Sequence, residues 1–150
     1  MSLSKFYPPE KTFELSLPEE TNLKKRVLLL EDGDDFAALI KTFLESTDFE
    51  VIRVNNGVDG LKTLLVKEFD IILCDMVMPN LPGDMFYLAV EKTRPHLCKR
   101  FIFMTGHKAD PKWDSFARNV RCIMLWKPFQ MSDLLVAIDT VLRKSKTTGS

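Results

Sequence analysis

Apolar residues fall into two alternating patterns along the chain. Five short runs, at 26–30, 51–54, 71–74, 101–104 and 122–126, are nearly continuous and rich in branched side chains. Runs without polar alternation predict strands covered on both faces. Between them the period becomes helical. Phe36, Leu39, Ile40, Phe43 and Leu44 recur at i, i+3, i+4, i+7 and i+8, the stripe of an amphipathic helix. Leu61, Leu64 and Leu65 mark a second helix after Asn56-Gly57. Met85, Leu88 and Ala89 mark a third, stopped near Arg94-Pro95, since a residue before proline avoids the helical region. Asp110-Pro111 reads as a helix start, with Asp as N-cap and Pro first in the helix. Trp113, Phe116 and Ala117 then share one face. A fifth helix, over 132–143, buries Leu134, Leu135, Ile138 and Leu142 and ends in cations, which suit a helix C-terminus.

Strand–helix alternation repeated five times implies a parallel sheet with helices on both faces. Right-handed crossovers then leave few topologies. The expected fold is α/β: a doubly wound, flavodoxin-like (βα)5 domain, strand order 2-1-3-4-5, with its crevice at the carboxyl ends of the strands. Residues 26–144 make the domain, and 145–150 a flexible tail. Residues 1–25 fall outside the pattern. Pro8, Pro9, Pro18 and many charges mark them as an arm or linker. Thr12, Phe13, Leu15 and Leu17 could instead form a short edge strand.

Composition narrows the function. The 21 basic and 21 acidic residues of the 150 cancel, which gives no support for non-specific nucleic-acid or membrane-surface binding. No apolar run approaches the roughly 20 residues of a spanning helix, and the first residues lack a signal-peptide core. Cytoplasmic residence is expected. Cys74, Cys98 and Cys122 are widely spaced, without a CxxC or matching histidines. They predict buried free thiols, not a disulfide framework or a zinc site.

The strand ends carry the chemistry. Strand one ends in Glu31-Asp32, strand three in Asp75, strand four in Thr105, strand five in Lys127-Pro128. In a parallel sheet these ends lie on one rim. Singly, each has a structural reading. Asp75 could bond nearby amides, Glu31-Asp32 could cap a helix, and Lys127 could be a solvated cation. Together they converge three carboxylates, a hydroxyl and an ammonium on one crevice. Two carboxylates about 4 Å apart repel by about 4 kcal/mol at an effective dielectric near 20, so a cation is expected among them. All-oxygen donors suit Mg2+, which shares its shell with water and phosphate oxygens. A carboxylate there can act as nucleophile toward a phosphoryl group, with Lys127 and Thr105 on its oxygens.

At these residues the sequence resembles the response-regulator receiver domain of two-component signalling. The motifs are "VLLLEDGDD", "DIILCDMVMPNLPG", "FIFMTGH" and "LWKPF", in order and at the right strand ends. The resemblance implies that Asp75 accepts phosphate from phosphohistidine with Mg2+. Asp32 and Asp75 would be direct ligands, Glu31 would act through water, and Val77 would offer its carbonyl. Thr105 would be the switch hydroxyl and Lys127 the conserved-type lysine, with a cis bond before Pro128. The donor would be a histidine kinase or a histidine phosphotransfer domain. A downstream protein would read the face of helix four, strand five and helix five, where Lys108, Trp113, Phe116 and Trp126 are candidate contacts. Direct nucleic-acid contact and membrane contact are not expected. The arm's "EKTFELSLPEE" resembles the last strand of a histidine-kinase ATP-binding domain, the layout of a hybrid kinase.

Three departures stand out. Met124 occupies the switch position where the family has an aromatic. The acidic run lacks a third acid. Val77 and His107 occupy the places that tune autodephosphorylation, and Val77 cannot orient water. Three other readings remain. An aspartate-nucleophile phosphatase would need a second acid at Val77. A flavin carrier would need a phosphate loop in place of "EDGDDF". A degenerate receiver would act only as an interaction module.

Overall fold

Five parallel strands form one sheet in the order β2-β1-β3-β4-β5. The computed structural model describes residues 23–106 and 111–148. In chain order the elements are β1 (Lys25–Leu30), α1 (Asp34–Ser46), β2 (Phe49–Val54), α2 (Gly57–Val66), β3 (Ile71–Asp75), α3 (Gly83–Thr93), a 3-10 helix (Pro95–Arg100), β4 (Phe101–Thr105), α4 (Pro111–Val120), β5 (Ile123–Trp126) and α5 (Met131–Thr148). The flavodoxin-like expectation holds in class and strand order. The suggested strand within residues 12–17, the Asp110 cap, His107 and Lys108 lie outside the described residues.

The pleat sorts the core into two halves. Leu28, Leu30, Ile72, Cys74, Phe101 and Phe103 pack beneath α2, α3 and α4. Val27, Leu29, Ile71, Leu73, Ile102 and Met104 face α1 and α5. Successive strand residues point to opposite faces, so the stretches 27–30, 71–74 and 101–104, covered on both sides, are apolar at every position. All five residues of β3 are buried. Burying each large side chain contributes about 1.5–3 kcal/mol, which fixes the register and holds the strand ends still.

Local signals set the helix starts. Asn56 caps α2, its side-chain oxygen accepting the Asp59 amide at 2.8 Å. Asp34 and Asp35 place negative charge in the first turn of α1, where the helix dipole favours it. At the base of the sheet Arg26 binds Glu50 at 3.1 Å, and its amide donates to Asp70 at 2.9 Å.

The periodicity fails in α3. Met85 and Leu88 are half exposed, whereas Phe86, Tyr87 and Val90 are buried. The run from Met85 to Val90 is apolar throughout, so several helical stripes fit it. The aromatics take the inner side because Tyr87 meets the Phe101 ring edge-on at 4.9 Å and Phe86 meets it at 5.8 Å. Two more sequence readings need correction. Leu39 and Leu65 are exposed. Helix α5 runs on to Thr148, so 145–148 are helical and not tail. The cysteines are free, as expected, but only Cys74 is buried. Cys98 and Cys122 are half-buried at the sheet edge, where burial pushes the Cys122 thiol up to about 11.

Candidate functional site at the strand ends

Continuing the alternation past the last rungs places the charges. Leu29 and Leu73 face α1 and α5, so Glu31 and Asp75 emerge on that same side. The strands run side by side, with Leu30 opposite Cys74. Two acids on adjacent strand ends therefore stand about one strand spacing apart, roughly 4.8 Å. Leu125 also faces this side, which brings Lys127 there. Phe101 and Phe103 face the other way, so Thr105 ends β4 toward the α4 side.

The ammonium of Lys127 bridges the two acids, 3.2 Å from Glu31 Oε1 and 3.2 Å from Asp75 Oδ2. All three groups are largely out of water. Glu31 is 3 % exposed and Asp75 5 %, and the lysine side chain about a quarter. Glu31 is held by more than its charge. Its Oε2 accepts the Gly33 amide at 3.1 Å, and its carbonyl accepts Arg53 Nε at 2.9 Å. Burial, then the charge of Asp75, raises the Glu31 carboxyl above its ordinary 4.5, against the opposing pull of Gly33 and Lys127. Burial disfavours the Lys127 cation, but Asp75 and Glu31 together outweigh it and raise its pKa. One cation shared by two buried anions leaves a deficit of positive charge.

Asp75 divides its two oxygens. Oδ1 accepts the Val77 amide at 3.2 Å, the ordinary backbone bond open to any aspartate at a strand end. Oδ2 faces Lys127. The loop after β3 folds tightly back, and the Gly83 amide donates to the Met76 carbonyl at 2.9 Å. A Cβ on Gly83 would lie 2.7 Å from the Asp75 carbonyl oxygen. Glycine is therefore required beneath the aspartate, which gives the Leu-Pro-Gly turn its reason. Val77 turns its side chain outward, 45 % exposed.

Glu31, Asp32 and Asp75 offer oxygens all within 4.8 Å of one another, with Asp32 the exposed member. Hard carboxylate oxygens, one exposed to water, fit an Mg2+ ion that keeps part of its hydration shell. Thr105 is fully buried, and its carbonyl accepts the Lys127 amide at 2.8 Å, tying β4's end to the lysine. The Lys127-Pro128 peptide is cis.

The matches to known proteins follow this geometry. Residues 27–139 match the family model of the response regulator receiver domain. The chain belongs to that family. It is 31% identical over 121 residues to the response regulator receiver protein CpdR of Brucella abortus, covering 79% of this chain and 97% of CpdR. It is 32% identical over 124 residues to the sensor kinase CckA of the same organism, over 79% of this chain but 12% of the kinase. The chain thus spans nearly all of one relative and about an eighth of the other. A CheY-like receiver domain structure from Methanospirillum hungatei superposes with a TM-score of 0.75 at 26% identity, covering 83% of this chain and 98% of that one. Receiver domains serve two-component signalling, are not conventional enzymes, and bind Mg2+ in an acidic pocket. They interact with histidine kinases or phosphotransfer proteins and with downstream effectors. Among the described residues no helix is long and apolar enough to cross a membrane.

The candidate contacts on the partner face fare unevenly. Trp113 is buried at 7 % and belongs to the core, while Phe116 and Trp126 are half-buried. Met124 is half-buried and lies against the core beside Phe103. Sequence reasoning missed one neighbour of the site. Phe36, counted as part of the α1 core stripe, is only half-buried, and the Lys127 ammonium lies 4.7 Å from its ring centroid.

Proposed function

We propose that this receiver domain takes a phosphoryl group onto Asp75 from a phosphohistidine of a histidine kinase or phosphotransfer protein, in the cytoplasm. The observation that carries the reading is the shared ammonium: Lys127 spans Glu31 and Asp75, with Asp32 close by. An Asp75 oxygen attacks phosphorus in line, a P–O bond forms, and the P–N bond breaks with its electron pair passing to imidazole nitrogen. The phosphohistidine ring, protonated on its other nitrogen, departs as neutral imidazole, which makes the donor reactive. Glu31, Asp32, Asp75 and the Val77 carbonyl would hold Mg2+, which supplies charge neutralisation for the transferring oxygens. Lys127 leaves Asp75 Oδ2 for a phosphoryl oxygen, a short move for an ammonium on a flexible stem. Thr105 turns its hydroxyl toward the same group. That withdrawal reshapes the face of α4, β5 and α5 read by a downstream protein, with Met124 filling the space vacated by Thr105. The arm's likeness to a kinase's last strand and the match to a sensor kinase support a receiver joined behind a kinase core.

Incubation with a small acyl phosphate and Mg2+ tests the central step. The expected result is one base-labile phosphoryl group per chain, absent without Mg2+ and absent in Asp75→Asn. No labelling of the native chain under these conditions overturns the reading in favour of a phosphorylation-independent interaction module.

A further inference from the structure

The Lys127 ammonium meets an aromatic ring as well as two acids. It lies over the face of Phe36, 4.7 Å from the ring centroid, as well as against Glu31 and Asp75. The face of an aromatic ring carries negative potential and attracts a cation, most strongly where water is thin. Phe36 stands in the first turn of α1, three residues after Gly33, whose amide is fixed to Glu31. Its ring also packs against Phe129 in an edge-to-face arrangement, with centroids 5.8 Å apart and planes at 70°. Phe129 lies just beyond Pro128, so the ring pair ties the first turn of α1 to the segment that carries Lys127 into α5.

We propose that Phe36 is a positioning residue for Lys127, holding its ammonium over the carboxylate pair. The inference rests on Lys127 serving the transfer to Asp75. Each carboxylate alone could draw the ammonium aside, and Asp32 lies near enough to compete. A neutral ring face restrains the cation without neutralising it. The lysine thus keeps its charge available while losing freedom to wander. An aliphatic side chain would fill the same space and give no such direction.

Two variants separate direction from bulk. Phe36→Leu keeps apolar volume and removes the ring, while Phe36→Tyr keeps the face. In the metal-free, unphosphorylated protein, NMR should find the Lys127 ε-methylene protons shifted upfield by the ring, retained in Phe36→Tyr and lost in Phe36→Leu. Labelling by the small acyl phosphate should slow about fivefold in Phe36→Leu, the factor expected of one cation–π contact, and recover in Phe36→Tyr. Unshifted Lys127 protons in the native chain, or equal losses in both variants, would overturn the proposal. The NMR result needs no phosphorylation. Ring-shifted protons in a chain that never labels would leave the positioning intact and discard the transfer reading instead.

Discussion

Two aspartates bracket the central strand and do opposite things. Asp70 stands just before β3, where its Oδ2 accepts the Arg26 amide at 2.9 Å, while its own amide donates to the Arg26 carbonyl at 2.9 Å. Both hydrogen bonds tie the start of β3 to β1. Asp75, five residues on, spends Oδ1 on the Val77 amide and leaves Oδ2 to Lys127. Around Asp70 the charges pair off: Arg26 with Glu50, Arg94 with Glu68. Around Asp75 two buried acids share one ammonium, and a third, exposed acid lies within 4.8 Å of both. Balanced charge at the base of the sheet serves the fold, and unbalanced charge at the rim is held ready for something else.

Removing the shared cation breaks that comparison most severely. Lys127→Met leaves two buried carboxylates facing each other with backbone amides but no cation between them. Breaking a buried pair in this way costs about 3 kcal/mol or more. Urea denaturation without Mg2+ should show this loss, and millimolar Mg2+ should recover a large part of it, because a divalent ion replaces the missing charge. A loss unaffected by Mg2+ would mean that the acids do not form one site. Next come the aspartates themselves. Asp70→Ala should lower stability by about 1–2 kcal/mol, the cost of leaving a half-buried amide unpaired, and leave phosphoryl labelling intact. Asp75→Asn should change stability by less than about 1 kcal/mol, since relief of repulsion from Glu31 offsets the lost ion pair, yet abolish labelling. Equal effects of the two on either measurement would erase the distinction.

Much of this was legible in the amino-acid order, and the exceptions share a cause. Carboxylates closing apolar runs gave away the rim, because a buried parallel strand can expose a charge only at its end. Alternation and handedness narrowed the strand order to a few topologies, and the flavodoxin-like one among them is the order observed. The α3 face was misread because a periodic stripe identifies a face only where polar residues frame it, and 85–90 has none. Phe36 does pack against the core as its place in the stripe implied, but its contact with Lys127 was missed for another reason. Helical period tells which side of α1 a residue occupies but not how far along the sheet it sits, and the first turn of α1 overhangs the rim. The shared lysine required both facts at once: the pleat parity of three strands and their register.

The smallest expected effect concerns pH, and its sign distinguishes the two aspartates' surroundings again. Glu31 is held above its ordinary 4.5 by burial and by Asp75. A raised folded pKa means the native state binds more protons than the unfolded chain between the two values. The resulting stability is fully present below the ordinary value and is lost as pH rises through the folded one. Metal-free protein should therefore lose this contribution as pH is taken upward from about 4.5. Glu31→Gln, uncharged throughout, should abolish that part of the slope. Mg2+ should oppose the loss, because the metal binds the deprotonated ligands and so favours the folded state increasingly as pH rises. Thermal melts of the native chain and Glu31→Gln, each with and without Mg2+, would expose all three behaviours. An identical pH slope in both proteins would place the like-charge strain outside the Glu31–Asp75 pair, and the rim would then be no different in kind from the base of the sheet.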